Sequence, residues 1–499
     1  MRRIAATKLF VPTFTAILVS SAACRAAPLP HQSASVGADS RQRIENGLLP
    51  AIRIQGASAP ASMKLADRMR HYKVPGVSVA VINNGTVEWA SGYGTLDTKS
   101  GKPVTAETLF QAASISKPVT ALAALSLVQS GRLSLDENVN ASLKSWKVPE
   151  NTFTRERNVT LRQLLSHSAG FNVEDVGSYA AGEPLPALLQ ALDGLPPAHS
   201  APIRVERVPG TQFRYSGGGY SVVQQLLIDA TGKPFSDLMY DLVLGKIGMK
   251  SSTFQQPLER DMQSVASSGH DVTGEPLNGR WYTFPQSAAA ELWTTASDLA
   301  RFAIELQRSY KGVSNAILTP ELAKQMLSPQ LGGYGLGMWV GGGTDKTLSF
   351  SHPGKNEGFL CMLFAYAETG QGAVVMTNGD GGNSLFNEIL RAVAHEYGWP
   401  DYQQREKAVV ATDAADYGAY VGEYEIGGMR VTLSKTEDEL FVEAPPVWPQ
   451  RLKLYAAGRD QFFLVDEDVD LAFVRDSRGR VTEMRAVASG QNVVAKKVK

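Results

Sequence analysis

The tetrapeptide Ser114-Ile115-Ser116-Lys117 places a hydroxyl and an amine three residues apart, directly before a long apolar run. In a helix, Ser114 and Lys117 would lie on one face. A serine hydroxyl is a poor nucleophile until a base removes its proton, and a lysine held away from water can be that base. The pair therefore predicts nucleophilic catalysis by Ser114.

The beginning of this helix follows from Pro118. Proline has no backbone N–H, so it fits only in the first helical turn. We therefore predict a helix that starts near Ser114 to Ser116, continues through the apolar residues 119–130 and ends at Gly131. Ser114 would then lie at the positive end of the helix dipole, where an oxyanion is stabilised.

The composition is that of a globular protein and excludes several function classes. Of 499 residues, 43% are hydrophobic and 20% are charged. Lys+Arg and Asp+Glu both number 49, which leaves no basic field for a nucleic acid backbone. The seven histidines form no pattern such as H-E-x-x-H, so we predict neither a metal nor another cofactor. Cys361 lies in an apolar run and is predicted to be buried.

The N-terminus has the pattern of an export signal. Basic residues precede an apolar stretch at 9–19, which is too short to span a bilayer, and small residues follow. We predict a signal over residues 1–26 and a periplasmic or secreted protein, with a lipid anchor at Cys24 as an alternative. Residues 27–57 are rich in Ala, Ser, Pro and Gln and are predicted to be a linker.

The elements that would position Ser114 come from both ends of one domain, predicted over residues 58–402. Strand patterns occur at residues 76–82, 86–92, 347–351, 358–367 and 373–377. The first two flank Asn84-Gly85, which is a strong hairpin signal. These strands predict one antiparallel sheet, with the helix-rich residues 155–310 as a second lobe.

The last part of the chain has a different pattern. Short alternating runs such as Met429–Leu433 and Phe462–Val465 recur there with turn residues between them. We predict that residues 403–499 form a separate small all-β domain that resembles a barrel.

Two later segments can complete a site around Ser114. Tyr215-Ser216-Gly217 lies in a glycine-rich loop before a helix, and His352-Pro353-Gly354 is expected to close a strand at a sharp turn. Together with Ser114–Lys117, they resemble the ordered S-x-x-K, Y-x-N and H-x-G motifs of the serine β-lactamase and penicillin-binding-protein-like hydrolases. The similar branch contains class C β-lactamases, D-aminopeptidases and esterases (peptidase S12-like). The resemblance covers roughly residues 60–400.

The resemblance implies an α+β, β-lactamase/transpeptidase-like fold and an acyl-enzyme on Ser114. It implies that Lys117 and Tyr215 share the proton transfers, and it leaves open which of them is the base. The backbone N–H groups of Ser114 and of Lys355, next to Gly354, would form the oxyanion hole. His352 would lie on the substrate side of the same strand. The expected substrate is a small molecule or a peptide.

Two departures from the family motifs bear on the substrate. Gly217 stands in place of the usual Asn, and His352 in place of the Lys of K-T-G. Both favour amide (D-aminopeptidase-like) or ester substrates over those of a true β-lactamase or carboxypeptidase, which stay the alternatives. A different kind of alternative is a catalytically inactive relative that binds peptides or cell wall. His167, in the segment after Leu161–Leu165, is interpreted as structural.

Overall fold

The computed structural model describes residues 40–57, 63–343, 346–412, 414–426, 428–445, 448–488 and 491–499. The predicted export signal, Cys24 and the first part of the predicted linker lie outside these residues. Over the described ranges, no helix combines the length and the apolar character that a bilayer span requires.

Helices and strands alternate irregularly along the chain. The α-helices are α1 (Ser40–Glu45), α2 (Leu65–His71), α3 (Ser116–Gln129), α4 (Thr152–Glu156), α5 (Leu161–Leu165), α6 (Leu188–Asp193), α7 (Gly217–Thr231), α8 (Phe235–Met239), α9 (Arg260–Gln263), α10 (Ser287–Ala290), α11 (Ala296–Tyr310), α12 (Pro320–Met326) and α13 (Gly382–Tyr397). The strands are β1 (Ile52–Ile54), β2 (Gly76–Asn83), β3 (Thr86–Gly94), β4 (Phe110–Gln111), β5 (Trp293–Thr294), β6 (Trp339–Gly341), β7 (Ser349–Asn356), β8 (Phe359–Tyr366), β9 (Gly372–Thr377), β10 (Arg405–Lys407), β11 (Gly422–Ile426), β12 (Met429–Lys435), β13 (Leu440–Ala444), β14 (Trp448–Gly458), β15 (Gln461–Phe463), β16 (Val469–Arg475), β17 (Val481–Ala488) and β18 (Gln491–Lys497).

The described chain divides into two compact units, and the larger one is Val74–Phe386. It contains a six-stranded antiparallel sheet in the order β3-β2-β9-β8-β7-β6. The predicted sheet built from an early hairpin and late strands is therefore confirmed. Helix α11 contacts β2, β8 and β9, and the remaining helices of this unit include α3 and α7.

The hairpin β2–β3 turns at Asn84 and Gly85, as predicted. Their φ angles are 52° and 71°, and Asn83 pairs with Thr86. Two consecutive positive φ angles are the requirement of a type I′ turn, which Asn-Gly meets at low steric cost. The turn fixes the register of β2, whose residues from Gly76 to Ile82 are all buried.

Helix α3 is the central helix of the larger unit. A 3₁₀ turn at Ala113–Ile115 leads into it, and every residue from Ser116 to Leu127 is buried. A helix that is apolar on all sides is stable only inside a core. The predicted apolar helix is confirmed, and Gly131 follows it with a φ of 70°.

The expectation that His352-Pro353-Gly354 closes a strand is wrong. Strand β7 continues to Asn356, and the turn comes at Gly358, where φ is 76°. Proline is tolerated inside β7 because β6 pairs only with Ser349–Ser351. From His352 onward, β7 pairs with β8 alone and is an edge where a missing N–H costs no ladder bond.

The second unit joins both ends of the chain, up to Lys73 and from Asn387. Strands β11 to β18 form a closed antiparallel barrel, in which β11 also pairs with β18. The predicted barrel-like architecture is confirmed. The boundary at Asn387 falls inside α13, whereas the sequence predicted a boundary at residue 403.

Residues 40–57 also differ from the predicted linker, because they carry α1 and β1. The side chains of Ile44, Leu48 and Ile52 are buried, and β1 pairs in parallel with β10. Ile52 packs with Phe463. These apolar residues anchor a segment that its Ala, Ser, Pro and Gln content had assigned to a linker.

We expect Ile52→Ala to lower the free energy of unfolding of the second unit by about 2–5 kcal/mol, because a 1% exposed side chain leaves a cavity. Arg53→Ala on the same strand is the control. Its side chain is 59% exposed, so losing its ion pair with Glu406 should cost about 1 kcal/mol or less. Denaturant unfolding with hydrogen exchange would measure both variants, and equal, negligible effects would support a linker.

Candidate active site

Ser114 lies in the 3₁₀ turn directly before α3. Its neighbours Ala113 and Ile115 are fully buried, whereas Ser114 itself is only partly buried. Ala113 has a φ of 50°, a value that few residues with a Cβ adopt. Such backbone strain persists only where the surrounding packing imposes it. The turn thus leaves one partly exposed hydroxyl at the N-terminal end of a buried helix.

The Lys117 side chain is buried and faces Ser114. Its Nζ donates to Ser114 Oγ at 2.9 Å and to the carbonyl oxygen of Ala289 in α10 at 2.8 Å. Burial lowers the pKa of Lys117 from 10.5 to about 7, and the Asp175 carboxylate acts in the opposite direction. A large fraction of this amine is therefore neutral near pH 7 and can accept a proton from Ser114.

Tyr215 lies against the same pair, just before α7. Lys117 Nζ is 5.0 Å from the centroid of its ring. Burial raises the pKa of Tyr215 well above its usual value, and a hydrogen bond with Ser114 acts the other way. The phenol is therefore protonated near pH 7, so the electrostatics favour Lys117 as the base and Tyr215 as the proton donor.

His352 is buried and holds both of its ring nitrogens in hydrogen bonds. Nδ1 donates to the carbonyl oxygen of Pro353 at 2.6 Å, so Nε2 accepts from the hydroxyl of Tyr334 at 2.9 Å. Burial, with the nearby Lys117 charge, lowers the pKa of His352 to about 3. The neutral ring therefore has both nitrogens engaged, by Tyr334 and by the Pro353 carbonyl, and its substrate-side role stays a prediction.

Gly354 brings β7 against the turn that carries Ser114. A Cβ at this position would lie 2.3 Å from the carbonyl oxygen of Ala112 and 2.4 Å from Cys361 Sγ. Only glycine allows this approach, and the buried Cys361 thiol donates to the same carbonyl at 3.1 Å. Lys355 follows with an exposed side chain. The oxyanion hole formed by the N–H groups of Ser114 and Lys355 stays a prediction.

Gly217 is enclosed by the segment Val173–Val176. Its N–H donates to the carbonyl oxygen of Glu174 at 2.9 Å, and a Cβ at Gly217 would lie 2.8 Å from that oxygen. The Asn of the Y-x-N motif therefore does not fit here unless the segment moves. The segment also exposes the carboxylates of Glu174 and Asp175, which act on the pKa values of Tyr215 and Lys117 respectively.

Sequence reasoning missed the residues that enclose the amine of Lys117. Lys117 Nζ is 5.8 Å from the ring centroid of Tyr220, whose hydroxyl donates to the carbonyl oxygen of Leu165. Tyr334 supports His352, and the ring of His167, which the sequence predicts to be only structural, lies 4.1 Å from that of Tyr215. No sequence signal identifies Tyr334 or the Ala289 carbonyl, because their roles depend on which segments meet.

The family assignment rests on comparison with known proteins. A family model described as Beta-lactamase matches residues 63–397, which is more than half of the chain. The chain belongs to the beta-lactamase family. Membership in this family, together with the penicillin-binding-protein-like relatives, supports serine-hydrolase chemistry in general.

Individual relatives are distant. Penicillin-binding protein 4 from Amycolatopsis lactamdurans is 27% identical over 349 residues, covering 66% of this chain and 87% of its own length. Protein flp from Staphylococcus aureus (strain MW2) is 24% identical over 318 residues, covering 61% of this chain and 60% of its own length.

Solved structures share the fold of this beta-lactamase family member. The octameric penicillin-binding protein homologue from Pyrococcus abyssi has a TM-score of 0.58 at 19% identity, over 87% of this chain and 98% of that one. The D-amino acid amidase from Ochrobactrum anthropi SV3, complexed with L-phenylalanine amide, has a TM-score of 0.54 at 20% identity, over 67% and 97% respectively.

Lys117→Arg tests the base directly. A guanidinium keeps the charge but does not release its proton, so we expect acylation to fall by about 10²–10⁴-fold. In the wild type, acylation should rise with pH through about 7, because only the neutral amine accepts the proton of Ser114. Stopped-flow acylation by a chromogenic ester measures both effects, with Lys324→Arg on α12 as the control. An unchanged pH profile in Lys117→Arg would contradict the assignment.

Proposed function

We propose that this protein is an exported serine hydrolase that cleaves amide or ester bonds through an acyl-enzyme on Ser114. The observation that carries the proposal is the buried Lys117 amine, 2.9 Å from Ser114 Oγ with a pKa lowered to about 7. Export rests on the basic, apolar and small-residue pattern of residues 1–26.

In the proposed reaction, Ser114 Oγ attacks the substrate carbonyl carbon while Lys117 takes the hydroxyl proton. The carbonyl oxygen becomes an oxyanion held by the N–H groups of Ser114 and Lys355, and one such donor is worth about 3 kcal/mol. When the tetrahedral adduct collapses, Tyr215 protonates the departing nitrogen or oxygen, and the proton on Lys117 restores the phenol. Water then attacks the ester carbon of the acyl-enzyme, and Ser114 recovers its proton.

The charges around Ser114 favour a substrate that has no free carboxylate next to the bond that is cleaved. His352 is neutral and both ring nitrogens are engaged, so it offers no charge to a carboxylate. Glu174 and Asp175 place negative charge beside Tyr215 and Lys117. Amides or esters with a free ammonium, as in D-aminopeptidase-like cleavage, fit this field better than penicillins or peptides with a free carboxyl end.

The first test is the mass of the intact protein after reaction with a p-nitrophenyl ester and, separately, with a fluorophosphonate. We expect one adduct per chain in the wild type and none in Ser114→Ala. Ser130→Ala, at the far end of α3, should behave as the wild type. If the folded wild type forms no adduct with either reagent, the hydrolase proposal fails and the inactive, ligand-binding relative takes its place.

Asp175→Asn tests the acidic surroundings. Because the Asp175 carboxylate raises the pKa of Lys117, its removal should shift the acidic limb of the acylation profile to lower pH. An exposed carboxylate contributes about 1 kcal/mol or less, so preference for a free-amine anilide over its N-acetyl form should fall about 2- to 5-fold. Ratios of kcat/KM measure this, with Asp261→Asn on α9 as the control. An unchanged ratio would remove Asp175 from substrate selection.

A further inference from the structure

We propose that His167 is a positioning residue that fixes the phenol of Tyr215 against Ser114 and Lys117. The inference rests on the proposed function in one respect, namely that Tyr215 takes part in proton transfer. It adds to that function a residue outside the three motifs, on the turn that follows α5.

His167 holds the backbone on both sides of Tyr215. The N–H of Arg214 donates to the His167 carbonyl oxygen at 2.8 Å, and the N–H of Ser216 donates to His167 Nδ1 at 3.1 Å. Two amides that flank one residue are thus bound by one histidine. These bonds restrict the backbone torsions that aim the Tyr215 side chain.

The ring of His167 also contacts the ring of Tyr215. Their centroids are 4.1 Å apart with 36° between the planes, and the ring of Tyr334 lies 4.8 Å from His167. Burial lowers the pKa of His167 well below its usual value, so Nδ1 keeps the lone pair that accepts from Ser216. The neutral ring of His167 therefore contacts the ring of Tyr215, and the hydrogen bonds from Arg214 and Ser216 fix the backbone that carries the phenol.

The chemistry of the two ring nitrogens separates positioning from simple filling of space. Because Nδ1 accepts, the proton is on Nε2, and Nε2 has no hydrogen-bond partner among the described residues. A buried N–H without a hydrogen-bond partner is destabilising. Phenylalanine would fill the same space without that cost, so the feature that distinguishes histidine here is the acceptor for Ser216.

The backbone of His167 limits which substitutions are informative. Its φ is 55°, a left-handed conformation that asparagine tolerates better than most residues. His167→Asn keeps an acceptor at nearly the position of Nδ1 but removes the ring. His167→Phe keeps a ring but leaves the N–H of Ser216 without its acceptor. The two variants separate the backbone contact from the ring contact.

The readout is how acylation depends on the leaving group. A p-nitrophenolate departs without a proton, whereas an amine or a simple alkoxide needs one from Tyr215. We therefore expect His167→Phe to slow acylation by amides and methyl esters about 10²-fold, and by p-nitrophenyl esters far less. His167→Asn should lose about 10-fold or less on the amides. Substrate binding should change little in either variant.

Tyr215→Phe is the benchmark. It should show the same leaving-group dependence as His167→Phe, and the double variant should be no slower than Tyr215→Phe alone, because both changes remove one function. A loss that is equal for all leaving groups, or that adds fully to that of Tyr215→Phe, would overturn the inference. Circular dichroism and thermal unfolding show whether each variant folds. If His167→Phe does not fold, a double-mutant cycle of His167→Asn and Tyr215→Phe replaces it. That cycle is judged by the same leaving-group dependence and the same lack of additivity.

Failure of this inference and failure of the proposed function give different results. If the wild type forms no Ser114 adduct, the function itself fails. If the wild type acylates but the His167 variants show no leaving-group dependence, only the role of His167 fails.

Discussion

The amine of Lys117 has to be kept away from water next to the hydroxyl of Ser114, and several elements of the larger unit provide this burial. An exposed lysine keeps its proton near pH 7 and is useless as a base, whereas burial makes the neutral form accessible. The core provides this burial through α3, which is enclosed on all sides, and through the rings of Tyr215 and Tyr220. The Ala289 carbonyl accepts a hydrogen bond from the amine and so fixes its direction.

Close approach of backbone to backbone brings the other parts of the site to this amine. The missing side chain at Gly354 lets β7 lie against the Ala112 carbonyl, directly before the turn of Ser114. Gly217 likewise lets the backbone of Glu174 approach closely. The carboxylates of Glu174 and Asp175 then lie beside the site, where the family motif would place the amide side chain of Asn. Glycine in place of the Asn of the family motif leaves room for the acidic segment Val173–Val176. The absence of the Asn side chain and the presence of the two carboxylates therefore have the same structural cause.

Charge is distributed unequally around the nucleophile. His352 and His167 are both buried and neutral, whereas the Lys117 amine, which becomes charged when it accepts a proton, lies 2.9 Å from Ser114 Oγ. A permanent cation in the same interior would lower the pKa of Lys117 further, because it would repel the ammonium that Lys117 becomes after it accepts a proton. Neutral histidines supply hydrogen bonds and ring contacts without that repulsion.

The sequence by itself determined the elements that depend on local chemistry and on pattern. Asn84-Gly85 specified a turn, Pro118 fixed the beginning of α3, alternating runs specified the barrel strands, and two short motifs named Ser114, Lys117 and Tyr215. Only the tertiary structure decided what depends on segments distant in the chain. Whether Pro353 lies inside a strand depended on how far β6 extends along β7. The neutrality of His352 depended on its burial near Lys117, and the two hydrogen bonds to the backbone beside Tyr215 depended on where His167 lies, because burial and hydrogen-bond partners arise only when the chain has folded.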